Sequence, residues 1–289
     1  MLSIKAVWFS GSHSRDTTFS LSRSGHGPIA LQPTRHCPFY WGFLRWFVVF
    51  AFFSLAACSG EAPEGTASKA PRFEGMPQTE VVKLAGAPLF EGMSDYSYPI
   101  SSEGSYVQRY FDQGMVLAFA FNHAESVRSF RAAQTLDPNC AICFWGEALA
   151  TGPNINVTSK GKVIMSPQER VAAFAAIQKA ISLKQFANVK ERALIEALSS
   201  RYNGDAETPR EPLDLAWAKA MERVANVYPD DATIASIYSE ALMNTMPWNY
   251  WSDDLTAKPE TQKVIDALEG ALEKAPDHPL ALHLYIHAM

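Results

Sequence analysis

The sequence predicts an all-α fold in which helical hairpins lie side by side. From residue 105 onward, apolar residues recur every three or four positions, which is the spacing of one buried helix face. The same region has none of the strict alternation that is typical of a half-buried strand. Three predicted helix ends also share one spacing from two apolar residues to a proline, which indicates an internal repeat. These ends are Phe130, Ala133 and Pro138; Met221, Val224 and Pro229; and Leu268, Ala271 and Pro276.

The clearest hairpin lies between residues 110 and 149, where two helices are predicted on either side of a short turn. Asn122, with Glu125 three residues later, forms the capping-box pattern that starts a helix. Asp137 and Pro138 end this second helix, because a proline lacks the amide hydrogen needed to continue it and restricts the residue before it. A third helix is predicted to follow at once.

Six more helices are predicted from the same spacing and from the prolines that bound them. They cover residues 169–183, 189–201, 213–228, 232–243 and 260–274, and the last begins at Pro279 and continues to Met289. The residues between 59 and 76 are small, polar and rich in Pro and Gly, which is typical of a flexible linker. We therefore predict a flexible tether at 58–84 and a helical domain at 85–289.

The hairpin at residues 110–149 resembles a tetratricopeptide (TPR) unit. The matching positions are Tyr110, Gly114, Leu117, Ser126, Phe130, Ala133 and Pro138. The repeated prolines are 91 (229 − 138) and 47 (276 − 229) residues apart. Since neither separation is a multiple of the roughly 34-residue TPR period, the array is degenerate.

Three further sequence motifs extend this resemblance over residues 85–289. They are similar to motifs of a group of uncharacterised bacterial TPR proteins, and they read FNHAE, CAICFWGEAL and HLYIHA. The resemblance implies an α-solenoid of TPR-like hairpins. It also implies further helices after Met289 in the relatives, so we expect this chain to be truncated at its C-terminus.

The N-terminal part carries the features of an export signal. Arg45 precedes an apolar run at residues 46–57, which is too short to span a bilayer but is typical of a signal-peptide core. The run leads into Leu55-Ala56-Ala57-Cys58, which resembles a bacterial lipobox. That resemblance implies cleavage before Cys58 and acylation of this cysteine. Residues 1–57 are then an N-terminal extension with a lipoprotein signal peptide; the alternative is a hydrophobic helix that is retained.

Lipid and charge together restrict the expected location and partners. Several acyl chains on one cysteine hold a protein firmly on a membrane, and Ser59 after Cys58 is similar to outer-membrane sorting signals. We expect a lipid-anchored protein of the cell envelope, on the outer membrane and facing the periplasm. Residues 1–57 carry +4 (5 Lys/Arg − 1 acidic), whereas the remainder carries −9 (20 − 29). This acidic body argues against nucleic acid as a partner.

Histidines near both ends of the helical region are candidate metal ligands. His283 and His287 are four residues apart on one predicted helix, so both rings lie on the same side. His123 in the predicted turn and Glu147 are expected to complete a site for zinc or a similar divalent ion. The motif lacks the Glu of the HExxH metalloproteases. The alternative is that these histidines only pack and hydrogen-bond within the core.

Two cysteines flank the start of the third helix. In an exported chain, Cys140 and Cys143 are expected to form a disulfide, and buried thiols are the alternative. A CxxC pair at a helix start can also be redox-active, because the helix terminus lowers the pKa of a thiol. Phe144 stands where a haem-attachment motif needs a histidine, so haem is excluded at this pair.

A loop near residue 250 is dense in aromatic side chains. Trp248, Tyr250 and Trp251 are candidates for stacking on a sugar or clamping a peptide. The alternative is that they fill the groove between neighbouring helices.

Two functional hypotheses follow from these features. The first is a membrane-anchored TPR scaffold that binds a protein or peptide in the bacterial envelope and needs no cofactor. The second is a metal-binding protein or metal-dependent enzyme that uses His123, His283 and His287 with zinc or a similar ion. The sequence assigns no catalytic residue, so the question of enzyme activity stays open.

Overall fold

Residues 73–156 and 165–289 are described by a computed structural model. In these two ranges the chain forms ten α-helices and no β-strand, apart from one isolated bridge between Trp251 and Ala257, so the predicted all-α class is confirmed. The helices are α1 (Gln78–Ala85), α2 (Ser105–Phe119), α3 (His123–Leu136), α4 (Ala141–Thr151), α5 (Pro167–Ser182), α6 (Val189–Ser199), α7 (Arg210–Val227), α8 (Ala232–Thr245), α9 (Pro259–Lys274) and α10 (Pro279–Ala288). A short 3₁₀ helix at Lys184–Phe186 precedes α6. The predicted signal peptide, Cys58 and the first part of the tether lie outside the described residues.

The helical body begins earlier than residue 85. Helix α1 occupies the last part of the predicted tether, and its Val81 side chain is fully buried in the core. Gly86 ends α1 in a left-handed conformation (φ 72°), which glycine adopts without steric cost. Residues 78–84 are therefore part of the folded domain, because α1 buries an apolar face on α3.

The turn between α2 and α3 differs from the predicted capping box. The Asn122 side chain makes no cap, and its backbone amide donates to the carbonyl of Leu117 at 2.8 Å, so Glu125 cannot accept that amide hydrogen as a capping box requires. The Phe121 amide donates to Ala118 at 2.9 Å, and Phe121 itself has a φ of 58°. These two bonds form a Schellman motif that ends α2, with phenylalanine at the left-handed position usually taken by glycine. Capping boxes are present elsewhere, at Ser166 before α5 and Asn188 before α6.

Helices α2, α3 and α4 pack around the side chain of Phe130. Its ring, fully buried, lies on α3 between Gly114 of α2 and Gly146 of α4. A Cβ atom on Gly114 would lie 2.8 Å from the ring, and one on Gly146 would lie closer still. The two glycines therefore allow both neighbouring helices to approach the ring more closely than any larger residue permits.

The beginning and the end of the helical domain are in contact. All ten described helices belong to one compact unit. From α2 onward each helix packs on the next, α1 packs on α3, and α10 also packs on α2 and α8. The segment before α2 also reaches α8, because the Tyr96 hydroxyl lies 3.1 Å from that of Thr233. In an open solenoid each repeat contacts only its neighbours. The TPR-like repeat architecture stays a prediction. The contact of α10 with α2 joins helices that are not neighbours in the chain, which a regular open solenoid would not show.

The packing around Phe130 predicts opposite effects for two glycine substitutions. Gly146→Ala should lower the free energy of unfolding by about 1–3 kcal/mol, because the new methyl group overlaps the Phe130 ring. The matched control is Gly270 within α9, where a Cβ would meet nothing within 4 Å. Gly270→Ala should stabilise by about 0.5–1 kcal/mol, since alanine favours the helix.

Urea unfolding of both variants measures the difference, and a double-mutant cycle with Phe130→Leu tests its cause. If the ring is the obstacle, Gly146→Ala should cost less in the Phe130→Leu background. The same cost in both backgrounds would show that another neighbour is responsible.

Candidate functional site

A cleft of about 660 Å³ opens beside the start of α3, the end of α4 and the first turns of α5. Its volume lies within the range of roughly 300–1,000 Å³ that is usual for ligand sites. It is lined by His123, Ala124, Val127, Arg131, Ala150, Thr151, Gly152, Pro153, Asn154, Gln168, Glu169 and Ala172. The lining combines small apolar side chains with polar groups, which suits a ligand that carries both.

His123 forms part of the cleft wall, and both its ring nitrogens are engaged. Nδ1 lies 2.6 Å from the carbonyl oxygen of Ala150 and, because a carbonyl only accepts, must carry the proton. Nε2 lies 2.6 Å from Nδ2 of Asn154 and accepts its hydrogen. Burial lowers the pKa of His123, and the Ala150 carbonyl opposes part of that shift. The ring is therefore neutral near pH 7 and fixed in one tautomer.

Arg131 brings positive charge to the same cleft. Its Nε donates to Oε1 of Glu147 at 2.8 Å, and Gln134 donates to the other oxygen of Glu147 at 2.8 Å. Glu147 is thus tied to two side chains of α3. The Arg131 side chain is 59% exposed, and its two terminal nitrogens make no hydrogen bond within the described residues. They are available to a carboxylate or carbonyl group in the cleft.

A buried ionic cluster holds the turn that forms one wall of the cleft. Arg201, fully buried, donates through Nη2 to the carbonyl of Pro153 at 2.8 Å and through Nε to Asp214 at 3.0 Å. Arg210 donates to the same Asp214 oxygen at 2.7 Å. The Arg201 guanidinium also lies 3.8 Å from the ring centroid of Trp217. Loss of one partner would leave a buried charge unpaired, so the turn is firmly coupled to α6 and α7.

The predicted histidine pair lies in a cluster of rings around Phe121. The Phe121 ring centroid is 4.4 Å from that of His283 and 6.0 Å from that of His123. His287 packs 4.9 Å from His283 and 5.2 Å from Trp248, again between ring centroids. The tertiary fold therefore brings α10 to the α2–α3 turn, and Phe121 lies beside all three predicted histidines.

No group of three or more His, Cys, Asp or Glu side chains in the described ranges is arranged to hold a metal ion. Of the predicted set, Glu147 is occupied by Arg131 and Gln134, and His123 Nε2 faces Asn154. Only His283 and His287 point ring nitrogens at each other, with Nε2 atoms 3.1 Å apart. The four predicted ligands are thus not brought together as one set.

The three predicted aromatic residues of the loop after α8 have different environments. Trp248 is 51% exposed and donates to the Ile155 carbonyl at 3.0 Å. Trp251 donates to the Ala288 carbonyl at 2.8 Å, and Tyr250 is only 4% exposed. A side chain as buried as Tyr250 cannot stack on a ligand in the present conformation. Through Trp248 and Trp251 the loop mainly connects the turn after α4 and the end of α10.

Cys140 and Cys143 form a disulfide at the start of α4. Both residues are buried, at 4% and 0% exposure, among the apolar side chains of the core. In this position the bond is shielded from dissolved thiols and lies within the core.

Sequence reasoning did not single out Phe121 or Arg201 as site residues. A phenylalanine in a sequence does not indicate a left-handed backbone, because this conformation is far more usual for glycine, so the turn at Phe121 could not be predicted. Arg201 ended a predicted helix, and only the fold places it under Pro153. The contact of Asn154 with His123 likewise depends on packing between α3 and α4.

Comparison of the chain with protein-family models, with curated proteins and with solved structures returned no match. Among the described helices, none is both long enough and apolar enough to cross a membrane.

The charge of Glu240 makes stability depend on pH. Burial raises the pKa of Glu240 in α8 from 4.5 to about 7, although the Arg201 charge acts in the opposite direction. Because the raised pKa belongs to the folded state, the stabilisation is complete below about pH 4.5 and is lost as the pH rises through 7. Glu240→Gln should remove this dependence, so wild type should lose about 3 kcal/mol relative to the variant between pH 4.5 and 8.

Free energies of unfolding in urea at both pH values check this, because every other titrating group is common to the two proteins. A parallel change in wild type and variant would contradict the assignment to Glu240.

Proposed function

We propose that the protein binds an extended peptide segment of another envelope protein and is held on a membrane by lipid at Cys58. The observation that carries the proposal is the cleft beside α3, α4 and α5, which has room for a few residues of peptide. Grooves between packed helices of repeat proteins are extended binding surfaces of this kind. The lipobox-like motif before Ser59 supports the anchored location.

The cleft lining matches the needs of a peptide ligand. Ala124, Val127 and Ala172 supply apolar surface for side chains, and Gln168 supplies an amide that can pair with peptide groups. Arg131 adds, at one side, terminal guanidinium hydrogens that make no hydrogen bond in the part of the chain that the structure describes. We infer that the bound segment carries a carboxylate, either an acidic side chain or its own C-terminus, opposite Arg131.

A photo-crosslinking pair tests the cleft directly. Ala124 is exposed in the cleft, and Ala175 is exposed on α5 outside the cleft lining. The photoreactive residue p-benzoylphenylalanine at position 124 of the full chain, expressed in a Gram-negative host, should give a discrete envelope-protein adduct. Position 175 should give none.

Arg131→Gln should lower the yield of the adduct at position 124 several-fold, because the carboxylate partner is lost while Gln134 still holds Glu147. Equal yields at positions 124 and 175, or a yield indifferent to Arg131→Gln, would count against peptide binding in this cleft.

The lipid anchor is tested separately. Cells fed a clickable palmitate analogue should label the wild-type chain and not Cys58→Ser, and only the wild type should sediment with membranes. Cys37→Ser is the matched control and should retain the label, since Cys37 lies before the proposed cleavage point. Membrane association of unlabelled Cys58→Ser would instead favour a retained hydrophobic helix.

A further inference from the structure

The histidine pair on α10 has the geometry of a chelating site. His283 and His287 are one helical turn apart, and their Nε2 atoms are 3.1 Å apart. An ion about 2.0–2.1 Å from each nitrogen would subtend an N–metal–N angle of about 100°, between the tetrahedral and square-planar values. Residues four apart on a helix lie on the same face, so the backbone of α10 alone brings the two rings close together.

A contact from α2 fixes the first of the two rings. Nδ1 of His283 lies 2.5 Å from the carbonyl oxygen of Phe119, the last residue of α2. Since a carbonyl only accepts, Nδ1 carries the proton and Nε2 keeps its lone pair. This is the second contact that metal-binding histidines usually make, because it sets the tautomer and orients the ring.

The surroundings of the pair restrain both imidazole rings. Within the described residues no carboxylate is bonded to either ring, so the pair is not explained by an ion pair. Phe121 packs on both imidazoles, and Trp248 packs edge-on against His287. Both histidines are half-buried, which leaves one side of the pair open to solvent.

We propose that His283 and His287 bind one divalent transition-metal ion, copper or zinc, through their Nε2 atoms, with solvent completing the coordination. On binding, the proton that His287 shares with His283 leaves Nε2 of His287, and this ring takes the Nδ1–H tautomer, so the pair stays neutral. Copper binds more tightly than zinc, following the usual order for nitrogen ligands. The site is independent of the peptide cleft, because His123 keeps its own partners, Ala150 and Asn154.

Titration of the full-length chain with Cu²⁺ and with Zn²⁺ tests the proposal. Isothermal calorimetry should show one equivalent bound at micromolar metal, with the tighter affinity for copper. His287→Ala should weaken this binding by roughly tenfold or more, since one of two ligands is lost. Among the described residues the His287 ring makes no hydrogen bond to the backbone, so this variant disturbs the fold less than one at His283.

His123→Gln is the matched control within the same ring cluster and should leave the affinity within about twofold. Electron paramagnetic resonance of the copper form should show coupling to two imidazole nitrogens and supplies a readout that needs no variant. Three results would overturn the proposal: no saturable binding, binding unchanged by His287→Ala, or a loss in His123→Gln as large as that in His287→Ala.

Discussion

The left-handed turn at Phe121 is the constraint on which the site depends. A non-glycine residue in this conformation costs about 1–3 kcal/mol, so the surrounding packing must hold it there. Three consequences follow from its geometry. The turn ends α2 with the Phe119 carbonyl free to accept from His283, it starts α3 with His123 in the cleft wall, and it places the Phe121 ring between these histidines.

The cleft beside α3, α4 and α5 and the histidine pair are neighbours that use different supports. The cleft wall after α4 is held by Arg201 through the Pro153 carbonyl, within a buried cluster of two arginines and Asp214. The histidine pair is held by α2 and by the loop after α8. Breaking a buried ion pair by removing one partner costs about 3–5 kcal/mol, so the cleft wall depends strongly on the Arg201 cluster.

Local sequence patterns predicted the helices well and the site only in part. Apolar spacing and prolines placed α5 to α10 within a few residues of their observed limits, because helix formation depends mainly on near neighbours. The capping box at Asn122 was wrong, since the Schellman turn uses the same residues in a competing set of backbone bonds. His283 and His287 were paired correctly on one helix face, whereas Glu147 was drawn away by Arg131 and Gln134.

What the sequence by itself determined is the helical class, the positions of most helices and the two rings one turn apart on α10, because these follow from periodicity within a single element. Only the tertiary structure decided that α10 lies against α2, that Phe119 orients His283, and that Arg201 supports the cleft wall. Each of these contacts joins residues at least 48 positions apart. Such pairings depend on how the whole set of helices packs, and no local pattern of residues encodes them.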